Sequence, residues 1–188
     1  MSDAVSALQG AQFDGLVSLR DLGPQGMISL RADLADASVK KAVKAAIGVD
    51  VPARRQASLT DAGGALWMSP DEAMLLCAYG DVPDVLAKLQ KALGSAHALA
   101  ADVSDARVVI RMEGPAAREV LAKVCPADLR AEKLPVGEVR RTRFAQVAGA
   151  FWFRDDETVD VVCFRSVAGY VFDLLSTAAD PQAAVGHF

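Results

Sequence analysis

The chain has little of what enzymes use for chemistry. Among 188 residues there are two histidines and three cysteines, and aromatic side chains make up 6%. His97 lies in a run of small residues and His187 is next to last, so the two cannot build a histidine-rich metal site. No Cys-x-x-Cys or His-Glu-x-x-His spacing occurs, and neither a GxGxxG nor a Walker loop is present to cradle phosphates. A Gly-x-Ser-x-Gly elbow is also missing. "SVKK" (38–41) fits Ser-x-x-Lys in letters only, and Ser38 reads more simply as a helix-start residue.

Long apolar runs are lacking too. None approaches the ~18 residues of a membrane span, and "MSDAVSALQG" at the start has neither the basic nor the apolar region of a secretion signal. The net charge of −4 gives no general attraction to nucleic acid or anionic lipid. The one basic cluster, Arg140, Arg141 and Arg143, sits in a strand-like segment without interleaved aromatics, as a solvated strand face would. Cys77, Cys125 and Cys163 are odd in number, far apart and set among apolar neighbours. They read as reduced, mostly buried thiols of a cytoplasmic protein. Cys125 ends a helix before Pro126, where the helix dipole would raise its pKa and blunt it as a nucleophile.

Apolar residues, by contrast, are plentiful at 52%, against 23% charged. This suits one sizeable domain, or two small ones sharing a core, with room for a buried partner surface. Residues 1–26 read as an extended arm. After them "MISLR" (27–31) alternates as a strand, and Val39, Val43, Ala46 and Ile47 line one helical face ending at Gly48. "GALWM" and "AMLLCAY" form a hairpin across "SPDE" (69–72). A helix opens near Asp81 and Pro83, with Val85, Leu86, Leu89, Ala92 and Leu93 inward.

That order returns in the second half. "ARVVIRM" is a strand, and Gly114 and Pro115 open a helix with Ala117, Val120, Leu121 and Val124 inward, stopped by Pro126. A connector (127–137), two strand segments (138–153 and 158–165) joined by "RDDE", and the helix "VAGYVFDLLSTA" follow. Laying the halves over each other puts Trp67 on Trp152, Cys77 on Cys163, Val85 on Val171, Leu86 on Phe172, Leu89 on Leu175 and Arg31 on Arg111. The expected fold class is α+β: two ferredoxin-like βαββα repeats, 27–100 and 101–180, with mostly antiparallel sheet and a tail at 181–188, in one compact domain. Asp71, Glu72, Asp155, Asp156 and Glu157 then fall at solvated hairpin tips, poor places for the raised carboxyl pKa of a general acid.

Several stretches carry a resemblance: "ISLRAD" (28–33), "IGVDVP" (47–52), "LWMSPDEAMLL" (66–76), "DVSDARVVIRMEGPAAREVLAKVCPADL" (102–129) and "RTRFAQV" (141–147). On these the chain resembles the gamma subunits of heterotetrameric sarcosine oxidases, over roughly residues 27–178. Ala73 departs from the pattern, standing where a large aromatic is expected. The resemblance implies kinship with the folate-binding aminomethyltransferase fold. It also implies a complex that demethylates sarcosine to glycine, passing the one-carbon unit to tetrahydrofolate and electrons to oxygen to give hydrogen peroxide.

In that family the alpha and beta subunits carry FAD, FMN, NAD and tetrahydrofolate, and the delta subunit carries zinc. The implied role here is a non-catalytic partner, docked chiefly on the alpha subunit and serving assembly. No catalytic, cofactor-binding or metal-binding residue is therefore assigned to this chain. Arg107, Arg111 and Arg143 are the first candidates for a residue lent to an intersubunit site. The resemblance leaves open a stand-alone folate-binding protein. Lys123, Val124, Cys125 and Pro126, with Gly137, Glu138 and Val139, keep only fragments of that relative's Lys-Gly-Cys and Gly-Gln-Glu motifs. An independent aminomethyltransferase-like enzyme fits less well, for want of length and of a general acid.

Overall fold

The computed structural model describes residues 4–188, so the first three residues of the expected arm lie outside the described residues. In chain order the strands and helices are β1 (Gln12–Asp14), β2 (Ser18–Asp21), β3 (Gly26–Arg31), α1 (Ala37–Ile47), β4 (Ala57–Thr60), β5 (Gly63–Ser69), β6 (Glu72–Cys77), α2 (Val82–Leu93) and β7 (Leu99–Asp102). The second half adds β8 (Arg107–Glu113), α3 (Ala117–Val124), β9 (Val139–Phe144), β10 (Val147–Phe153), β11 (Thr158–Phe164) and α4 (Ala168–Ala178). They fall into two compact units. The first is Gln25–Asp105; the second combines the chain up to Pro24 with Ala106–Phe188.

The first unit holds a five-stranded sheet in the order β4-β5-β6-β3-β7, and the second a six-stranded sheet in the order β1-β2-β8-β11-β10-β9. Every strand pairing among the described residues is antiparallel. The fold is α+β with two ferredoxin-like repeats, as expected, though each repeat runs βαβββα and not βαββα. The extra strands are β4 and β9, at equivalent sheet edges. β4 is short and half-exposed, so it lacks a period-2 signature. The run 138–153 is not one strand; it reverses at Ala145, which takes φ 48° and donates its N–H to the Val124 carbonyl at 2.8 Å. With neither Gly nor Pro at that point, the letters gave no turn signal.

The helices form where the apolar spacing places them. The α1 cap is Asp36, whose carboxylate accepts from the Ser38 N–H at 2.6 Å. Ser38 is therefore a helix-start residue, as expected, lying in the first turn beside the Asp36 cap. Such a cap contributes about 0.5–2 kcal/mol. Gly48 closes α1 in the left-handed region at φ 77°. Helix α1 buries Val39, Ala42 and Val43, and α2 buries Val82, Val85, Leu89 and Leu93. Ala92 is exposed, one position off the stripe. In the second unit Val120, Leu121, Val171 and Leu175 of α3 and α4 pack with Phe144, Phe151 and Phe153.

The lead-in is not a loose arm. Leu19 of β2 is fully buried, and β2 pairs with β8 from Ser18–Glu113 to Asp21–Ile110. The strand before the first repeat thus joins the second repeat's sheet. Likewise β7, which precedes the second repeat in the chain, pairs with β3 in the first. The connector 127–137 is also fastened. Arg118 donates to the carbonyls of Leu129 at 2.7 Å and Leu134 at 3.1 Å while lying 4.2 Å over the Phe153 ring.

Register fixes how the repeats correspond. Trp67–Ala73, Ala65–Leu75 and Gly64–Leu76 in one hairpin match Phe153–Val159, Phe151–Val161 and Ala150–Val162 in the other. Cys77 and Cys163 follow the same shift, as do the α2 and α4 positions. Trp67 therefore corresponds to Phe153, and Trp152 to Leu66; the two tryptophans lie one residue apart and on opposite faces. Arg111 corresponds to Ser29, and Arg31 to Glu113.

Candidate functional site

The acidic hairpin tips serve the backbone. In the first, the Asp71 carboxylate accepts from the Ser69 hydroxyl at 2.6 Å and from Arg31 at 3.0 Å, which hold its pKa below the usual range. In the second, Asp155 accepts from the Glu157 and Thr158 N–H groups at 2.9 and 2.7 Å, an Asx turn that lowers its pKa likewise. Asp155, Asp156 and Glu157 are exposed, as expected, but Glu72 is buried at 7% and is paired by Arg31 at 3.2 Å. Carboxylates stabilised in the ionised form are poor proton donors near neutrality.

A cleft of about 610 Å³ in the first unit is lined by Arg31, Asp33, Pro70, Asp71, His97 and Leu99, among others. Its Arg31 is committed to Asp71 and Glu72. A second groove, of about 540 Å³, lies in the second unit between Val5, Ser6, Gln9, Gly10, Asp21, Gly23 and Pro24. Its wall is shaped by Asp21, which accepts from the Ser6 hydroxyl and the Gly10 and Gly23 N–H groups at 2.9–3.0 Å.

The three arginines singled out in the sequence share one face of the second sheet, the face away from α3 and α4. Arg111 is spoken for: with Arg154 it neutralises Asp160, whose side chain is 3% exposed. Arg107 lies 4.1 Å over the ring of Phe164, and Arg143 is exposed on the edge strand β9. Asp160 and Arg154 went unnoticed in the sequence. A single acid in an apolar strand, "TVDVVC", two residues out of step with any turn, was the signal that could have found the pair.

The thiols are raised by burial, Cys163 to about 11 and Cys125 and Cys77 also upward. Cys77 is the least enclosed, being half-buried. Glu119 on α3 does the opposite. It accepts from the Val185 and Gly186 N–H groups at 2.8 Å each and from Lys123, contacts that lower its pKa to about 2 and latch the last residues. Among the described residues no cluster of three His, Cys, Asp or Glu side chains could hold a metal ion, and no helix is long and apolar enough to cross a membrane.

Comparison with known proteins places this arrangement. The model of the sarcosine oxidase gamma subunit family matches residues 31–181. The sarcosine oxidase subunit gamma of Corynebacterium sp. (strain U-96) is 35% identical over 151 residues, covering 78% of this chain and 72% of that protein. Its counterpart from Arthrobacter sp. is 31% identical over 176 residues, covering 90% and 85%. Among solved structures, a chain of the heterotetrameric sarcosine oxidase from Corynebacterium sp. U-96, in complex with pyrrole 2-carboxylate, superposes with a TM-score of 0.83 at 29% identity. That match covers 94% of this chain and 91% of the other. The glycine cleavage system aminomethyltransferase T of Bartonella henselae shares the fold, with a TM-score of 0.61 at 17% identity over 82% of this chain and 44% of that one. With sequence, length and fold in agreement, the chain belongs to the sarcosine oxidase gamma subunit family.

Proposed function

We propose that this chain is the non-catalytic gamma subunit of a heterotetrameric sarcosine oxidase, acting in assembly and stability of the complex. The family match over residues 31–181 carries the reading. The chemistry, in which sarcosine is demethylated to glycine with one-carbon transfer to tetrahydrofolate and release of hydrogen peroxide, belongs to the companion alpha, beta and delta subunits. They hold FAD, FMN, NAD, tetrahydrofolate and zinc, and this chain docks chiefly on alpha in the cytoplasm. The state of its own polar groups supports that division. Asp160 is spent on two arginines, Asp71 and Asp155 are held ionised by their turns, and the thiols are held protonated.

The test is co-expression of the companion subunits with and without this chain. Omission lowers the yield and melting temperature of the complex, while surviving complex keeps its turnover per flavin. The isolated chain neither oxidises sarcosine nor purifies with a flavin. Turnover by the lone chain, or saturable micromolar binding of tetrahydrofolate to it, would overturn the reading, the latter in favour of a stand-alone folate-binding protein.

A further inference from the structure

Residues up to Pro24 belong to the second unit, yet the chain joins them to the first: β2 ends at Asp21, and β3 of the first unit starts at Gly26. The whole of Gln25–Asp105 is threaded between β2 and its sheet partner β8. The β2–β8 pairing is therefore the docking of one segment onto a distant one, tethered through Leu22–Gln25, and not the closing of a local turn.

The docked segment is braced from within. Asp21 gathers the Ser6 hydroxyl and the Gly10 and Gly23 N–H groups at 2.9–3.0 Å. Arg20 donates to the Phe13 and Leu19 carbonyls at 3.1 and 2.9 Å and pairs with Asp14 at 2.6 Å. With the ladder from Gln12–Arg20 to Asp14–Ser18, these contacts hold β1 and β2 as one piece.

Its seat is shaped to it. Leu19 lies opposite Met112 on β8, and Val17 and Leu19 enter the core of the second unit at 3% and 0% exposure. Leu16 donates its N–H to the Ala179 carbonyl at 2.7 Å. A Cβ on Gly15 would come within 2.2 Å of that same oxygen, so the seat takes glycine there. With the segment lifted away, β8 would present an unpaired edge beside an open slot for Val17 and Leu19, a template for a strand of another chain. The match of glycine, register and buried side chains selects this same segment as the occupant, whichever copy supplies it.

The tether decides which copy that is. Gly23 holds φ 70° with open space around it, and the chain bends at Pro24. Short hinges of this kind are where element exchange between protomers begins. We propose that residues 5–23 form an exchangeable plug, and that the β8 edge accepts the plug of a second copy of this chain, giving a two-fold dimer in which each copy seats the other's β2. The contacts at the seat are the same in both arrangements. An intact bend favours the chain's own plug, at an effective concentration on the order of millimolar, and loss of the bend favours the exchanged one. The inference goes beyond the proposed function and stands or falls apart from it.

The test uses the full chain carrying Ser18→Cys and Glu113→Cys, register partners across β2 and β8, with the tether intact or with Pro24 and Gln25 deleted. The deletion keeps Gly23, whose N–H braces Asp21. Mass is read by sedimentation at micromolar concentration, folding by circular dichroism, and the disulfide formed on mild oxidation by non-reducing gel, with each single-cysteine chain as control. The intact chain sediments as a monomer and closes its disulfide within one chain. The shortened chain is folded, sediments at twice the mass and links two chains, which neither single-cysteine control does. A folded monomer from the shortened chain, or a dimer whose disulfides stay within each chain, would overturn the proposal. So would loss of the folded state on deletion, since the plug would then not be separable from its tether.

Discussion

Arg111 and Asp160 are register partners across the β8–β11 ladder and meet in a two-point ion pair, Nε to Oδ1 at 2.7 Å and Nη2 to Oδ2 at 3.0 Å. Arg154, from the hairpin loop, adds a third contact to the same carboxylate at 3.2 Å. Such a buried acid adds stability only while both its oxygens are matched.

Asp160→Ala should therefore be costly, because it leaves Arg111 and Arg154 facing each other without their anion. A loss of about 3–5 kcal/mol is expected in urea unfolding. Arg111→Ala should cost at least as much, since it strips Oδ1 of its partner and leaves the buried carboxylate only the Arg154 contact at Oδ2. A loss below about 1 kcal/mol for Asp160→Ala would assign the pair the value of a surface bridge and refute its structural role.

The latch of Glu119 on the last residues makes the second unit acid-sensitive. Its carboxyl titrates at about 2 in the folded chain against 4.5 as the ordinary value, so protons favour the unfolded form. The stabilisation is complete above about pH 4.5 and drains away as the pH falls toward 2. Glu119→Gln should flatten that part of the stability curve and speed carboxypeptidase trimming of the tail at neutral pH. An acid profile identical to wild type would count against the latch.

Thiol chemistry gives a third check. With Cys125 and Cys163 buried and raised in pKa, Ellman's reagent at pH 8 should label the native chain slowly and at Cys77 first. All three should react at once in denaturant. Rapid native labelling of Cys163 would contradict the packing of β11.

Gly63 tests the β4–β5 hairpin. It takes φ 148°, and a Cβ there would sit 2.2 Å from the Leu76 carbonyl oxygen. Gly63→Ala should destabilise by about 1–3 kcal/mol, lowering the melting temperature by several degrees. An unchanged melting curve would mean that the β5–β6 edge yields freely.

The repeats were legible because helix stripes such as Val85–Leu89 and Val171–Leu175 keep their period whatever their neighbours do. Registration was less so. Matching Trp67 to Trp152 by letter misplaces β10 by one residue, enough to turn each of its side chains to the wrong face, while the Cys77–Cys163 match places β11 correctly. The arginine-bearing face was half visible. Arg107, Arg111 and Arg143 could be named, but that they share one face depends on four strands coming into line, which no local pattern encodes. The pairing of β2 with β8 was hidden for the same reason: a short strand beginning "SLRD" says nothing about a partner in a distant segment.

The discontinuous make-up of the second unit has a temporal consequence. A ribosome finishes every residue of Gln25–Asp105 before it reaches Arg107, so that unit can close on itself while the remainder is still being made. β1 and β2, although made before that unit, have only each other to bond until β8 emerges to take the other edge of β2. A hairpin made before the first unit is thus seated only after that unit is complete, and until then the free edge of β2 needs shelter.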